Sequence, residues 1–346
     1  MSTAHATEAR DERREVVAAK AGDESAFTSL VERYRRELQI HCYRMLGSLE
    51  DSEDLVQETF LRAWRKRASF EGRSSFRTWL YRIATNACLD ALARSNRRLP
   101  APEAMGTDPG LEAPSTSEVP WLQPYPDRLL EGIAPSDEQP EAAIVAKETI
   151  ELAFLVAIQH LPPRQRAVLI VRDALGWSAK ETAALLEASV ASVNSALQRA
   201  RATLRKHLPE RRLEWAAGTD PSAEEQKLVQ RYVEATERAD ADALLELMRE
   251  DARFWMPPEP GLWLGRESIV AAWKEGGFGT PEWRDFRCEV TRANGQPAVA
   301  CYRRRPGERE YRPLALDVLR VAEGRVAEIV TFPSELFPAF ELPPMH

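Results

Sequence analysis

The sequence predicts a multidomain chain in which two all-α units are followed by one α+β domain. Three observations carry that expectation. At 346 residues the chain is too long for one ordinary hydrophobic core. Residues 13–99 and 141–208 show helical spacing of apolar side chains, and a proline-rich acidic stretch separates them. From about residue 224 a few helical segments give way to alternating runs such as "FRCEVTRA" and "PAVACYRRR", bounded by the turn signals "ANGQ" and "AEGR".

Charge is segregated along the chain. The formal net charge of −7 resolves into +3 over residues 1–100, −8 over 101–150, +5 over 151–213 and −7 over 214–346. Fields from exposed charges fade over roughly 8–10 Å, so an acidic total does not exclude nucleic-acid binding by a basic block. No apolar run approaches the roughly 18 residues of a membrane span, and the N-terminus has no apolar signal core. A cytoplasmic protein without a membrane partner is expected. Cys42, Cys88, Cys288 and Cys301 are scattered, which argues against a zinc site or a disulfide framework and for small buried side chains. No metal and no cofactor are expected.

The first helical block, residues 13–99, holds two notable pieces. In "SLEDSEDLVQETFLRAW" (48–64), Leu55, Val56, Thr59, Phe60 and Ala63 form an apolar side. Asp51, Glu53, Asp54, Gln57 and Glu58 form an acidic face, near a helix N-terminus where acids are favoured in any case. In "FEGRSSFRTWLYRIATNACLDALAR" (70–94), Phe76, Trp79 and Tyr81 sit among Arg73, Arg77 and Arg82. Aromatic platforms with basic neighbours suit melted single strands, while Trp79, Leu80 and Ile83 serve equally well as core.

Residues 100–140 hold nine of the 24 prolines and read as an extended linker. Within it, "VPWLQPYPDRLLEG" (119–132) carries Trp121, Leu122, Tyr125, Leu129 and Leu130, more apolar surface than a solvated tether needs. That patch is expected to dock on a domain surface.

The second helical block begins with a long amphipathic run, 140–161, that stops at Pro162–Pro163. "PPRQRAVLIVRDAL" follows with proline at a helix start, and Gly176 ends it. Ser178 and Glu181 then make a capping box for a helix over 178–186. After a short break, Ser189 or Ser192 caps a helix over 191–208. Val193, Leu197, Ala200, Leu204 and Leu208 recur along it as a buried seam. That leaves Ser192, Asn194, Ser195, Gln198, Arg199, Arg201 and Arg205 outside the seam, with Lys180 on the preceding helix. Two helices joined by a short turn can place the second in a major groove. Asn and Gln then suit base edges, and Arg suits bases or phosphates.

The stretch from Leu161 to Leu208 resembles promoter-binding region four of the extracytoplasmic-function (ECF) sigma factors, and residues 48–94 resemble region two of the same family. The resemblance implies that Asp51, Glu53, Asp54, Gln57 and Glu58 dock on the β′ clamp of RNA polymerase, whose β and β′ subunits are the expected protein partners. It further implies that Arg73, Ser74, Phe76, Arg77, Trp79, Asn86 and Asp90 handle the minus-ten element, with Arg94, Arg97 and Arg98 toward the upstream duplex. Lys180, Ser192, Asn194, Ser195, Gln198, Arg199 and Arg201 then handle the minus-thirty-five element of promoter DNA. Where the family commonly has a basic residue, this chain has Asn194, which implies a different base preference or fewer phosphate contacts.

Residues 222–342 resemble the SnoaL-like, nuclear-transport-factor-like fold: a curved sheet wrapped by helices into a cone with a pocket. Trp255, Met256, Trp263, Trp273 and Phe278 line such a pocket or form plain core. Asp317, in the apolar run "LALDVL", is the one carboxylate placed for pocket chemistry, but a strand carboxylate paired with a nearby arginine is the reading expected for it. The resulting domains are 13–99, the linker 100–140, 141–210 and 222–342. The expected function is a non-catalytic sigma factor whose acidic C-terminal domain contacts the two basic modules and modulates them. The alternative is a SnoaL-like isomerase or cyclase fused to a DNA-binding module.

Overall fold

The computed structural model describes residues 3–94, 119–130, 150–208, 222–259 and 261–345. They divide into two compact units, one holding 3–94 and 157–208, the other 119–130, 150–156 and 222–345. Arg97, Arg98, residues 100–118 and 131–140 of the expected linker, the boundary over 209–221 and His346 lie outside the described residues.

The first unit is all-α. Helix α1 (Thr3–Lys20) is followed by α2 (Glu24–Leu46), which Asp23 caps at one end and Gly47, at φ +72°, closes at the other. Helix α3 (Leu49–Lys66) starts at Ser48, whose hydroxyl accepts from the Asp51 amide. Helix α4 (Phe76–Arg94) buries Phe76, Leu80, Tyr81, Ile83, Ala84, Thr85, Ala87 and Cys88. The later helices of this unit are α6 (Pro163–Leu169), extended by a wide turn over Ile170–Ala174, then α7 (Ala179–Leu185) and α8 (Val190–His207). Pro163 occupies the first turn of α6, where its missing N–H is not needed.

The two helical blocks were expected as separate units, and they pack as one. Arg166 of α6 is buried and donates to the carbonyls of Met45, Ile158, Gln159 and Leu161 and to the Gln159 side chain. Five charge-assisted bonds disperse a charge that would otherwise be costly to bury. Tyr81 of α4 lies against Trp177 with ring centroids 5.4 Å apart, and against His41 of α2 at 5.1 Å.

The helix expected over 140–161 is not continuous. Helix α5 spans Leu152–Gln159, and Ile150–Glu151 form a turn before it. The break follows from two side chains of the C-terminal domain. Asn294 donates to the Ile150 carbonyl at 2.6 Å, and Gln296 accepts from the Leu152 amide at 3.3 Å. Those bonds replace helical partners at the very start of α5.

The second unit carries a six-stranded sheet. Its elements are α9 (Ala223–Glu237), α10 (Ala241–Leu247), β1 (Met248–Trp255), β2 (Leu262–Leu264), α11 (Arg266–Glu275), β3 (Phe286–Ala293), β4 (Gln296–Arg303), β5 (Arg312–Ala322) and β6 (Arg325–Pro333). The strand order is β2-β1-β6-β5-β4-β3, antiparallel throughout except for the parallel β1–β6 pair. Register shifts at Cys301/Tyr302 and Arg320/Val321 bend the strands. Both hairpins use tight turns with two successive positive φ values, Asn294–Gly295 and Glu323–Gly324, which match the twist of the flanking strands. Tyr232, Leu244, Phe254, Ile269 and Leu319 anchor the core between the helices and the sheet.

Residues 119–130 strap onto this domain, as their apolar content predicted. Val119, Leu122 and Tyr125 are buried. The Tyr125 amide donates to the Asn294 side chain at 2.7 Å, and the Asn294 amide donates back to the Tyr125 carbonyl at 2.9 Å. Asp127 accepts from the Gly295 amide and pairs with Arg292, while Arg128 reaches the Ala339 carbonyl and Glu341. The turn read in the sequence as a simple hairpin is therefore also a clamp.

The cysteines are free but not scattered in space. Cys288 and Cys301 face each other across β3 and β4, with their sulfurs 3.7 Å apart.

Candidate functional site

On α3, the spacing of acids puts Glu53, Asp54 and Gln57 at the surface, with Asp51 and Glu58 half-buried. Glu53 accepts from Gln39 at 3.2 Å. Glu58 pairs with Arg62 at 2.7 Å, and this hydrogen bond holds its carboxyl below the usual range. Arg62 also reaches Asp90 of α4 at 3.0 Å. The acidic face is thus exposed on one side and tied to α4 on the other.

The loop before α4 turns at Gly72, whose φ of +72° favours glycine. Arg73 and Glu71 pair with each other at the surface, and Ser74 is exposed beside them. Ser75 caps the helix by accepting from the Thr78 amide at 3.0 Å. Two expected minus-ten residues are committed elsewhere. Phe76 is buried, 5.5 Å from Trp79, 5.7 Å from Phe70 and 6.1 Å from Tyr34, so its ring offers no open face to a base. Arg77 forks onto Glu37 at 2.7–3.0 Å and lies over the Tyr81 ring. Glu37, about four turns along α2 from its cap Asp23, gave no sign in the sequence of this role. Arg73, Ser74, Asn86 and Asp90 are exposed, and Trp79 is half-buried at the edge of the aromatic cluster.

The helix-turn-helix follows its local code. Ser178 accepts from the Glu181 amide, and Glu181 accepts from the Ser178 amide at 2.8 Å, which lowers the Glu181 carboxyl pKa. Glu187 makes the turn at φ +50° and pairs with Arg82 of α4. Ser189, not Ser192, caps α8 and moves its start to Val190. The whole seam of Val193, Leu197, Ala200, Leu204 and Leu208 is buried. Lys180, Ser192, Asn194, Ser195, Gln198, Arg199, Arg201 and Arg205 are all exposed. Arg201 forks onto Asp173 at 2.7 and 2.9 Å, so a phosphate would have to displace an exposed ion pair.

The C-terminal domain encloses a cavity of about 520 Å³. Trp263, Trp273, Met256, Phe278 and Asp317 line it as expected. Trp255 does not. Strand alternation sends Phe254 and Met256 inward, whereas the Trp255 indole donates to Glu328 at 3.3 Å. Nor does Asp317 have an arginine partner among the described residues. Its carboxylate accepts from Tyr232 at 3.0 Å, Thr331 at 2.5 Å and the Cys301 thiol at 3.8 Å. It lies in the lining of the cavity, and burial raises its pKa against the lowering effect of those three bonds. Among the described residues no cluster of three or more side chains is arranged to hold a metal ion. Nor is any helix among them long and apolar enough to cross a membrane.

An acid-faced helix, an aromatic and basic helix, and an exposed helix-turn-helix ahead of a SnoaL-like cone are the parts of a transcription initiation factor. Three family models match in that order: sigma-70 region 2 over residues 30–98, sigma-70 region 4 over 151–204, and a SnoaL-like domain over 229–329. The chain belongs to the ECF RNA polymerase sigma factors. It is 44% identical over 341 residues to the ECF RNA polymerase sigma factor SigG of Mycobacterium tuberculosis, covering 95% of this chain and 86% of that protein. The ECF sigma factor SigW of Bacillus subtilis is 32% identical over 191 residues, which cover 55% of this chain and 92% of SigW. The crystal structure of the extracytoplasmic-function sigma factor SigJ of M. tuberculosis shares the fold, with a TM-score of 0.57 at 22% identity over 91% of this chain and all of that one.

Proposed function

We propose that this chain recruits RNA polymerase core enzyme in the cytoplasm through its β and β′ subunits and divides promoter recognition between its two helical blocks. Residues 13–99 dock on polymerase through Asp51, Glu53, Asp54, Gln57 and Glu58 and engage the minus-ten element through Arg73, Ser74, Trp79, Asn86 and Asp90. Residues 141–210 read the minus-thirty-five element through Lys180, Ser192, Asn194, Ser195, Gln198 and Arg199, with Arg201 available once Asp173 releases it. Residues 100–140 connect the two through the polymerase channel, and 222–342 form a regulatory domain. The observation that carries this reading is the open face of α8, where polar and basic side chains stand outward along a helix whose other side is wholly committed to packing.

The packing of α4 against the helix-turn-helix supports a closed, inactive form. Two promoter elements named for positions about 25 base pairs apart lie roughly 85 Å along B-DNA, at about 3.4 Å per step. A compact unit of about 145 residues is roughly 40 Å across. The unit must therefore open, breaking the Tyr81–Trp177 and Arg82–Glu187 contacts, before both elements are read. The strap 119–130, held through Tyr125 to Asn294 and through its own Asp127 to Gly295 of the C-terminal domain, would have to leave that surface to pass through polymerase. Through it the extension can control opening.

Run-off transcription with purified core enzyme tests both ideas. The full chain and a truncation after residue 210 are compared on genomic promoter fragments. Absence of promoter-specific product from both removes the assignment of roles to these residues. Equal activity and equal core affinity of the two remove control by the extension. The enzyme alternative would rest on the Asp317 cluster in the pocket. Its three neighbours all donate to one carboxylate, which suits binding better than proton shuttling.

A further inference from the structure

The cavity of the C-terminal domain has a one-sided chemistry. At about 520 Å³ it falls in the range of small-molecule sites. One wall is a run of aromatic rings: Phe254 lies 5.3 Å from Trp263 and 5.4 Å from Trp273, and Trp273 lies 6.2 Å from Phe278. Its lining includes two carboxylates, Asp317 and Glu259, and among the described residues no lysine, arginine or histidine. Among the described residues no basic side chain pairs with Asp317. Only hydroxyl and thiol donors reach it, so its charge, when present, has no counter-charge. Trp283, also in the lining, already carries the Arg303 guanidinium over its ring at 3.6 Å, leaving the other rings to a ligand.

We propose that this cavity binds an organic cation, a lipophilic amine or quaternary ammonium whose charge sits between Asp317 and the aromatic wall while its apolar body fills the remainder. The proposal rests on the reading of 222–342 as a regulatory domain and adds a ligand site there, with the class of its ligand. An enclosed carboxylate and ring faces are the two groups that attract a desolvated cation, and here they share one space. A neutral ligand would leave the Asp317 charge uncompensated. An anion would meet two acids and no base. Burial, which disfavours a lone Asp317 carboxylate, is offset when a cation supplies the missing partner.

Equilibrium dialysis of the full chain tests this with three ligands of one shape: N,N-dimethyl-2-naphthylmethylamine, its uncharged carbon isostere 2-isobutylnaphthalene, and 2-naphthylacetate. The amine is expected to bind at least tenfold tighter than the uncharged isostere, and the acetate weakest. Asp317→Asn is expected to erase that preference, and Glu259→Gln, at an exposed position, to reduce it less. Equal binding of amine and isostere by the native chain overturns the cation assignment while leaving a ligand site. Binding of none of the three overturns the site as well. Because the native-chain comparison needs no variant, unfolding of Asp317→Asn would not shield the proposal. Run-off activity, measured separately, reports on the sigma assignment alone.

Discussion

Helices α4 and α8 are nearly equal in length, at 19 and 18 residues, and both are proposed to meet promoter DNA, yet they are built in opposite ways. Helix α8 has one apolar seam and leaves the rest of its surface to solvent. Helix α4 buries eight positions distributed around much of its circumference, because α2 and α3 pack on it and the region around Trp177 covers it further. A helix with a single seam keeps stability and recognition on different side chains. A helix enclosed by neighbours commits more of its side chains to packing, as the buried Phe76 and the Glu37-paired Arg77 show.

The largest expected effect separates the two directly. Replacing Tyr81 with Ala at the centre of α4 should destabilise the first unit by about 3–5 kcal/mol, since a fully buried ring leaves a cavity among His41, Glu37 and Trp177. Urea unfolding measures it, and a loss under about 1 kcal/mol would mean that α4 is as loosely held as α8.

Next comes acid. His41 is wholly buried beside α4. Thr85 gives its one hydroxyl proton to the Tyr81 carbonyl at 2.7 Å, so its oxygen accepts from His41 Nε2 at 2.9 Å. Burial first, then the positive Arg44 and Arg77, press the imidazole pKa from 6.5 down to about 3. A depressed pKa means that the unfolded chain takes up the proton first. The stabilisation is therefore complete above pH 6.5 and is lost as pH falls toward 3. At about 1.4 kcal/mol per pH unit, the native chain should lose about 3 kcal/mol more than His41→Gln between pH 6.5 and 4.5. Parallel pH profiles of the two chains would remove that account.

On α8 the effect should move from stability to binding. Arg199→Ala is expected to weaken promoter binding by about 1–3 kcal/mol while changing unfolding free energy by less than about 0.5 kcal/mol. A gel-shift titration paired with urea melts checks both halves. The smallest effect concerns the contact between the two helices' surroundings. Arg82–Glu187 is an exposed pair, worth under about 1 kcal/mol. Arg82→Ala should therefore favour the open form by at most about fivefold, read as a rise in promoter affinity, and a fall would identify Arg82 as a DNA contact instead.

Legibility followed the same division. The seam of α8, the capping box Ser178–Glu181 and the turns Asn294–Gly295 and Glu323–Gly324 were readable because each depends on residues within about one or two turns of chain. The pocket was half readable. Trp263, Trp273 and Asp317 were found by their apolar setting, but Trp255 was misplaced because inward or outward direction depends on strand register. Arg166 gave no signal, and Asn294 was legible only as a turn residue, not as a clamp. Their partners are 121 and 169 positions away in the chain.

The sequence by itself determined the order of parts: helical blocks, acidic linker and α+β domain, with the second helix of the helix-turn-helix and its outward residues. These rest on periodicity, capping and turn chemistry, which are local. Only the tertiary structure decided that the helical blocks close on Arg166 and Tyr81, that Asn294 clamps the linker, that Phe76 is buried among aromatic rings and Arg77 is paired with Glu37, and that Asp317 faces an aromatic cavity without a basic partner among the described residues. Each depends on which distant surface a side chain meets, and burial and hydrogen-bond satisfaction are settled only when the whole chain is packed.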